Sequence, residues 1–415
     1  MNKTKQRTPS FTNCSRRGFL GGTIGIPLLG QLLAANAQEP ALSPPVAPTR
    51  RIKTGFVGLG GRGSWMTGHF KNHGGFEFWA AADYFPQVVE KVGSSIGVDK
   101  SRQFSGLSGY KKVIESGVEA IVLEVIPYFF PEMAKAAAEA GVHVYMAKPV
   151  ASDVPGCLTI EAAGALATKK QRVFMIDYQA PTDPNNIEVV KRIHEGALGK
   201  VVQVITCGNS EGFSDPPLGS LESRMQGLVW VNDVALGCDY LGNYDIHALD
   251  VALWVLGERP IAASGSSLIA RANPHGDARD VVTLVYEYAC GATHIHTGES
   301  LPNNNAWELS CRVNGTQANA MVNYWGKTFL RGGKKAFRGG DTGNLFSDGV
   351  KRNVATFYQS ITGGDFTNPT VRRSVDSCLT CILGMEAAAR RKPLTMDELI
   401  KENKRLEVDV SSLKV

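Results

Sequence analysis

The sequence predicts an α/β protein in two parts: a parallel sheet covered by helices, then a larger, mainly antiparallel open sheet in an α+β arrangement. Three observations carry this. Between residues 51 and 176, short apolar runs alternate with helical ones, the pattern of a parallel sheet with helices on both faces. A glycine-rich run, Gly58-Leu59-Gly60-Gly61-Arg62-Gly63, joins the first apolar run to the first helical stretch. Beyond residue 200, strand-like segments follow one another with few helices between them, which favours antiparallel pairing. The 415 residues suit two domains of roughly 100–200 residues. A composition of 43% hydrophobic and 20% charged residues excludes a disordered or low-complexity chain.

A leader precedes both parts. Residues 1–37 hold five bases (Lys3, Lys5, Arg7, Arg16, Arg17) and no acid. Ser15-Arg16-Arg17-Gly18-Phe19-Leu20 opens a moderately apolar run to Leu33, and Ala35-Asn36-Ala37 offers a small-x-small cleavage site. The run is too short and too Gly-rich for the ~20 residues of a membrane span. The arginine pair resembles a twin-arginine export signal, which implies the twin-arginine machinery as a partner and a periplasmic protein with no membrane attachment after cleavage. The formal charge of +5 belongs to the leader, because the rest carries 39 acids and 39 bases. That balance gives no global electrostatic case for binding nucleic acid or an anionic membrane. Residues 38–50 read as a Pro-rich tether. Of the 8 cysteines, Cys14 lies in the leader, and the odd, scattered remainder argues against a disulfide framework. Cys378-x-x-Cys381 falls in a helical run without a second ligand pair and reads as buried small side chains.

The first domain, residues 51–176, reads as strand Ile52–Gly58, a helix, strand Phe76–Ala82 ending at Asp83, strand Ala120–Val125, helix Pro131–Ala140 and strand Val142–Met146. Gly58, Gly60 and Gly63 fit the G-x-G-x-x-G fingerprint of a Rossmann dinucleotide site. The first glycine serves the turn, the second the approach of backbone to pyrophosphate, the third close helix packing. The phosphates then face a helix N-terminus. Asp83 at a strand end suits a ribose 2′-hydroxyl and repels a 2′-phosphate, which favours NAD over NADP. Gly326-Lys327-Thr328 is only half of a kinase-type phosphate loop, since Met321 stands where its first glycine belongs.

Ala140-Gly141-Val142-His143-Val144-Tyr145-Met146-Ala147-Lys148-Pro149-Val150 resembles the Ala-Gly-x-His-Val…Glu-Lys-Pro segment of the Gfo/Idh/MocA oxidoreductases. The resemblance extends over residues 51–415. It implies an N-terminal Rossmann domain, a C-terminal domain at 177–415 built on a large open sheet, and an oligomer of identical subunits formed through that sheet. It also implies that Lys148 lies beside nicotinamide and substrate. The cofactor-binding positions are then Gly58, Gly60, Gly61, Arg62, Gly63, Asp83, Pro127 and Lys148. Two residues depart from the family pattern: its Glu is Ala147, and its Thr-Pro-x-x-x-His reads Ile126-Pro127-Tyr128-Phe129-Phe130-Pro131. A lysine near a cationic ring loses basicity, which suits proton transfer.

In the second domain a helix over Asn186–Glu195 ends at Gly196-Ala197-Leu198-Gly199-Lys200 and leads into strand Val201–Thr206. Further strands are expected at Ile261–Ile269, Val281–Tyr288, Ala292–Thr297, Glu308–Val313 and Ala318–Tyr324, with Asn314-Gly315 as the last hairpin turn. Leu241–Pro260 has helical apolar spacing and resembles the family's Asp-x-x-x-His-x-x-Asp…Trp-x-x-Gly-x-x-Pro at His247, Asp250, Trp254, Gly257 and Pro260. The family's catalytic Asp falls on Asn243. On a helix Asn243 and His247 share a face, and Asp245 points elsewhere. Asn243 can orient a hydroxyl or the imidazole but cannot ionise. Proton transfer thus falls to His247 and Lys148, with Asp250 structural. His294 and His296 face one side of a strand with no third metal ligand nearby, and the glycines around His69 and His73 disfavour a rigid metal site. The basic stretch Trp325–Gly340 reads as a solvated loop, and Asn303-Asn304-Asn305-Ala306-Trp307 offers amides and a ring to a sugar.

The resulting expectation is an exported NAD-dependent oxidoreductase acting on a sugar or polyol, with His247 taking the hydroxyl proton and Lys148 polarising the same oxygen. Export demands a tightly held cofactor regenerated in place. The alternatives are a redox-neutral NAD-dependent glycosidase acting by oxidation, elimination and hydration, and a non-catalytic sugar-binding protein.

Overall fold

The computed structural model describes residues 48–415; the leader and most of the Pro-rich tether lie outside the described residues. Strands β1 (Ile52–Val57), β2 (Phe76–Asp83), β3 (Gln103–Ser105), β4 (Ala120–Leu123), β5 (His143–Ala147) and β6 (Phe174–Asp177) form one sheet in the order β3-β2-β1-β4-β5-β6. Every pairing in it is parallel. β4, β5 and β6 are buried along their whole length, as expected of strands with helices on both faces. The order is that of a doubly wound dinucleotide-binding fold, whose ligands sit beyond the carboxyl ends of the strands. Gly58, Glu124 and Lys148 each follow such an end, and Asp177 is one.

The second sheet contains β7 (Val201–Ser210), β8 (Ala262–Leu268), β9 (Val281–Glu287), β10 (Thr293–Ser300), β11 (Glu308–Gly315), β12 (Ala318–Asn323), β13 (Lys327–Gly332), β14 (Phe337–Asp341) and β15 (Leu394–Thr395), in the order β14-β13-β12-β11-β7-β10-β9-β8-β15. Only β7 and β10 pair in parallel; the rest are antiparallel. Burial alternates along β10, so one face packs and the other is open.

Three expectations change. The turn between β11 and β12 is Thr316-Gln317, and Asn314-Gly315 belongs to β11, where Asn314 pairs with Asn319. Gly315 meets the Leu198 carbonyl where a Cβ would collide, so its glycine answers to packing rather than to a turn. β7 runs to Ser210 rather than Thr206, because Gly208 is a strand residue that leaves room for the Asp245 carboxylate. Finally, Trp325–Gly340 is largely β13 and β14 rather than a loop.

The chain returns to the first sheet at its end. Val350, Val354 and Phe357 of helix Leu345–Gly363 share a core with Phe56, Phe70 and Phe76. Helix Thr370–Arg390 packs into a core continuous between the two sheets, with Cys378 and Cys381 buried among Val150, Ile160 and Leu284. Residues 177–415 thus also supply helices to the Rossmann sheet. Among the described residues no helix is long and apolar enough to cross a membrane.

Candidate functional site

The glycine loop divides its roles as its spacing predicts. Gly58 has φ 82, and a Cβ there would collide with the Glu124 carbonyl. A Cβ on Gly63 would collide with the Gly58 carbonyl, so the helix lies hard against the loop. Gly60 and Gly61 face open space. Helix Gly61–His73 begins with no side-chain cap and no acid in its first turn, leaving its N–H groups to an anion. Asp83 Oδ2 accepts the Leu59 N–H at 2.7 Å, and Oδ1 accepts that of Phe85 at 2.9 Å. Burial pushes its pKa up while these two N–H groups pull it down. Asp83 therefore fixes the loop, and each carboxylate oxygen keeps a further lone pair. The cradle fits a dinucleotide.

Arg62 is turned inward. It donates to Asp177 at 2.6 Å and pairs with Glu124 at 3.2 Å, beside the rings of Trp65 and Phe346. Asp177 also accepts from Gln179 at 2.9 Å and Asn353 at 2.6 Å. The loop is thereby tied to the end of β6. Burial pushes the Glu124 carboxyl up to about 7 against the pull of Arg62, and its Oε1 has no partner. Pro127, buried, starts the short turn after β4.

Lys148 follows β5 and donates to the backbone carbonyl of Asn243. Burial and then the charge of Arg62 lower its pKa, against the opposing pull of Asp177 and Glu124, to about 7. Asn243 lies in a π-helical turn, Leu241–Asp245, that feeds helix Ile246–Leu256. Such wide turns recur at functional sites. The α-helical face expected for Asn243 and His247 is changed by this turn. No hydrogen bond among the described residues joins the two side chains, and Asn243 serves Lys148 through its carbonyl. His247 Nδ1 is buried without a partner among the described residues. Its edge contacts are Tyr178 at 5.8 Å and Tyr324 at 5.1 Å between centroids. Burial, then the charges of Lys148 and Arg62, hold its pKa well below the usual histidine value, so the imidazole is neutral. The Tyr324 hydroxyl donates to Gln179 at 3.0 Å, which continues the chain Gln179–Asp177–Arg62 to the glycine loop.

Glu124 and Asp177 escaped the sequence reading, although both stand at the carboxyl ends of parallel strands, where ligands bind. Tyr178, Gln179 and Tyr324 carried no local signal. Among the described residues, the buried atoms without partners include Glu124 Oε1 and His247 Nδ1, both on side chains that feel the charge of Lys148. Such groups mark places where a ligand or water completes the bonding. Asp250 is structural, bonded to Arg373 at 2.9 Å and Ser377 at 3.0 Å. Asp245 points away, into the second sheet, where it meets His296 at 2.9 Å. His294 and His296 both bond Thr206. No group of three metal-ligating side chains occurs among the described residues.

Together the parallel sheet, the glycine cradle and the lysine–histidine cleft define an NAD-dependent oxidoreductase. Residues 52–178 match the oxidoreductase family with an NAD-binding Rossmann fold, and residues 187–321 match the GFO/IDH/MocA C-terminal domain. The chain belongs to the Gfo/Idh/MocA oxidoreductases, a family of NAD-dependent enzymes of sugars and polyols. It is 24% identical over 276 residues to levoglucosan dehydrogenase of Pseudarthrobacter phenanthrenivorans, covering 60% of this chain and 67% of that one. It is 27% identical over 206 residues to a glycosyl hydrolase family 109 protein of Shewanella pealeana, covering 45% of this chain and 44% of that one. Its fold superposes on aldose–aldose oxidoreductase from Caulobacter crescentus with a TM-score of 0.66 at 22% identity, covering 83% of this chain and all of that one.

Proposed function

We propose that the protein is an exported enzyme that oxidises a carbinol of a sugar or polyol on an NAD it does not release. The observation that carries this reading is the convergence of the Lys148 amine, the neutral His247 ring and the glycine cradle on one cleft. The Gly58–Gly63 loop and Asp83 would hold NAD, which would supply the acceptor for the hydride of the carbinol carbon. Lys148, near half-neutral at pH 7, accepts the hydroxyl proton at Nζ while an N–H remains on the Asn243 carbonyl. The neutral His247 ring orients the same hydroxyl or its neighbour. The order of basicity thus exchanges the roles expected from the sequence, where His247 takes the proton and Lys148 polarises the oxygen. Glu124 and Asp177 keep Lys148 basic enough to take the proton.

The arginine pair Arg16-Arg17 supports export, and the tight cofactor follows from it, because free NAD is scarce outside the cytoplasm. The hydride must then return to a second substrate or to the same sugar. The likeness to a glycosyl hydrolase family 109 protein supports the second route, in which a glycosidic bond is broken without net oxidation. One experiment tests the core of the proposal. The chain is expressed with its leader, purified from the periplasm and denatured, and the released nucleotide is assayed. We expect about one NAD per chain, reduced on adding sugar in the native protein but not in Lys148→Met. A protein confined to the cytoplasm, or an empty one, refutes tight loading before export. Unchanged function in Lys148→Met would point to a sugar-binding protein instead.

A further inference from the structure

A line of aromatic rings leaves the reaction cleft and reaches the surface. Tyr324 lies against His247 at 5.1 Å and against Trp325 at 4.7 Å. Trp325 meets Trp307 at 6.2 Å, their planes at 84°. Tyr244 closes the group, 5.5 Å from Trp307 and 6.4 Å from Trp325. The line is continuous with the catalytic turn, since Tyr244 is the neighbour of Asn243 in Leu241–Asp245. Trp307 is 48% exposed, a large apolar ring displayed at the end of a run of exposed residues, Pro302–Ala306. A second observation is separate from the ring stacking: Tyr244 is 7% exposed, and its hydroxyl has no partner. An orphaned buried hydroxyl carries an uncompensated desolvation cost, which a ligand hydroxyl or its water recovers. Amides of Asn303, Asn304 and Asn305 lie exposed beside Trp307.

An exposed flat ring with an unpaired buried hydroxyl and exposed asparagine side chains near it suits a ligand with an apolar C–H face and a polar rim, which describes a pyranose. We propose that Trp307, Trp325 and Tyr244 form a second saccharide subsite, so that the preferred substrate carries a further sugar ring joined to the one that reacts. This rests on the sugar-oxidising reading and names its substrate class as a glycoside or short oligosaccharide rather than a free monosaccharide. The ring at His247 and Lys148 reacts; the ring on Trp307 supplies binding energy only.

The test is calorimetric titration of the full NAD-loaded protein with glucose against cellobiose and maltose, galactose against lactose, and N-acetylglucosamine against chitobiose. We expect at least one disaccharide to bind about ten-fold tighter than its monosaccharide, the scale of one stacked ring. Trp307→Ala should abolish that gain and leave monosaccharide affinity unchanged, while Trp307→Phe keeps most of it. If no second ring improves binding, or the gain survives Trp307→Ala, the subsite is wrong and the oxidoreductase reading stands. If sugars of neither size bind, both fall together. If Trp307→Ala changes the oligomeric state and no sugar affinity, the shelf is a contact between copies of the chain, and the subsite is overturned.

Discussion

Replacing Thr206 with valine is expected to cost the protein about 2–6 kcal/mol, from two buried ring nitrogens left bare at about 1–3 kcal/mol each. Thr206 is the centre of a sealed polar chain. Tyr288 OH meets His294 Nδ1 at 3.2 Å, and His294 Nε2 meets the Thr206 hydroxyl at 2.7 Å. The hydroxyl meets His296 Nδ1 at 2.9 Å, and His296 Nε2 meets Asp245 Oδ2 at 2.9 Å. Every member is buried. With one proton on each ring and an ionised Asp245, one arrangement satisfies all four links: each group donates toward Asp245. Valine keeps the shape of threonine but can neither accept from His294 nor donate to His296. The assay is urea unfolding at pH 7, where the midpoint should fall with an unchanged slope. A loss below about 1 kcal/mol would refute the chain as drawn, because then neither nitrogen needed Thr206. Asp245→Asn is the contrasting variant. Its amide oxygen still accepts from His296, and the buried carboxylate is gone. Burial raises the folded pKa of Asp245 to about 6, above its unfolded value, so between pH 4 and 6 the folded state holds more protons. Stability therefore falls as pH rises through that window, by something on the order of 3 kcal/mol from this one group. Asp245→Asn should flatten that fall.

Two further outcomes follow from the cleft. The rate at which sugar reduces the bound cofactor should rise with pH and level off above a break near 7, where the Lys148 amine becomes neutral. Lys148→Arg should remove the break and most of the rate, since a guanidinium does not deprotonate in this range; an unchanged profile in stopped-flow absorbance would exclude Lys148 as the proton acceptor. Gly63→Ala should empty the protein of NAD and lower its Tm, because the new methyl collides with the Gly58 carbonyl; nucleotide content and calorimetry on the purified variant decide it.

Much of this molecule is legible in its sequence, and the illegible parts have a common cause. β1, β2, β4 and β5 could be read because a buried parallel strand is a continuous apolar run, and the glycine loop because its geometry admits no side chain. What failed were features set by partners far along the chain. Gly208 looks like a strand breaker until Asp245 is brought against it. Gly315 looks like a turn residue until Leu198 is. Tyr324 and Tyr178 are ordinary aromatics locally, and they become walls of the site only when β12 and β6 deliver their neighbours to His247. The helix periodicity of Leu241–Pro260 was correct in outline, but a π-helical turn and an α-helical one share the same apolar spacing over five residues.

That turn also accounts for an asparagine where the family carries an aspartate. Lys148 is held by the carbonyl of Asn243, which any residue supplies, so the exchange costs the amine no bond. What it removes is a negative charge. A carboxylate beside a buried amine favours the protonated form and would raise its pKa. With asparagine, the amine stays near 7 and can take a proton unaided by His247, whose own basicity burial has suppressed. Asn243→Asp should therefore move the break in the rate profile above 7 and slow the enzyme at neutral pH, while its rate at high pH stays close to that of the parent. If the break stays where it was, the side chain at 243 does not see the amine, and the turn acts on Lys148 through its backbone alone.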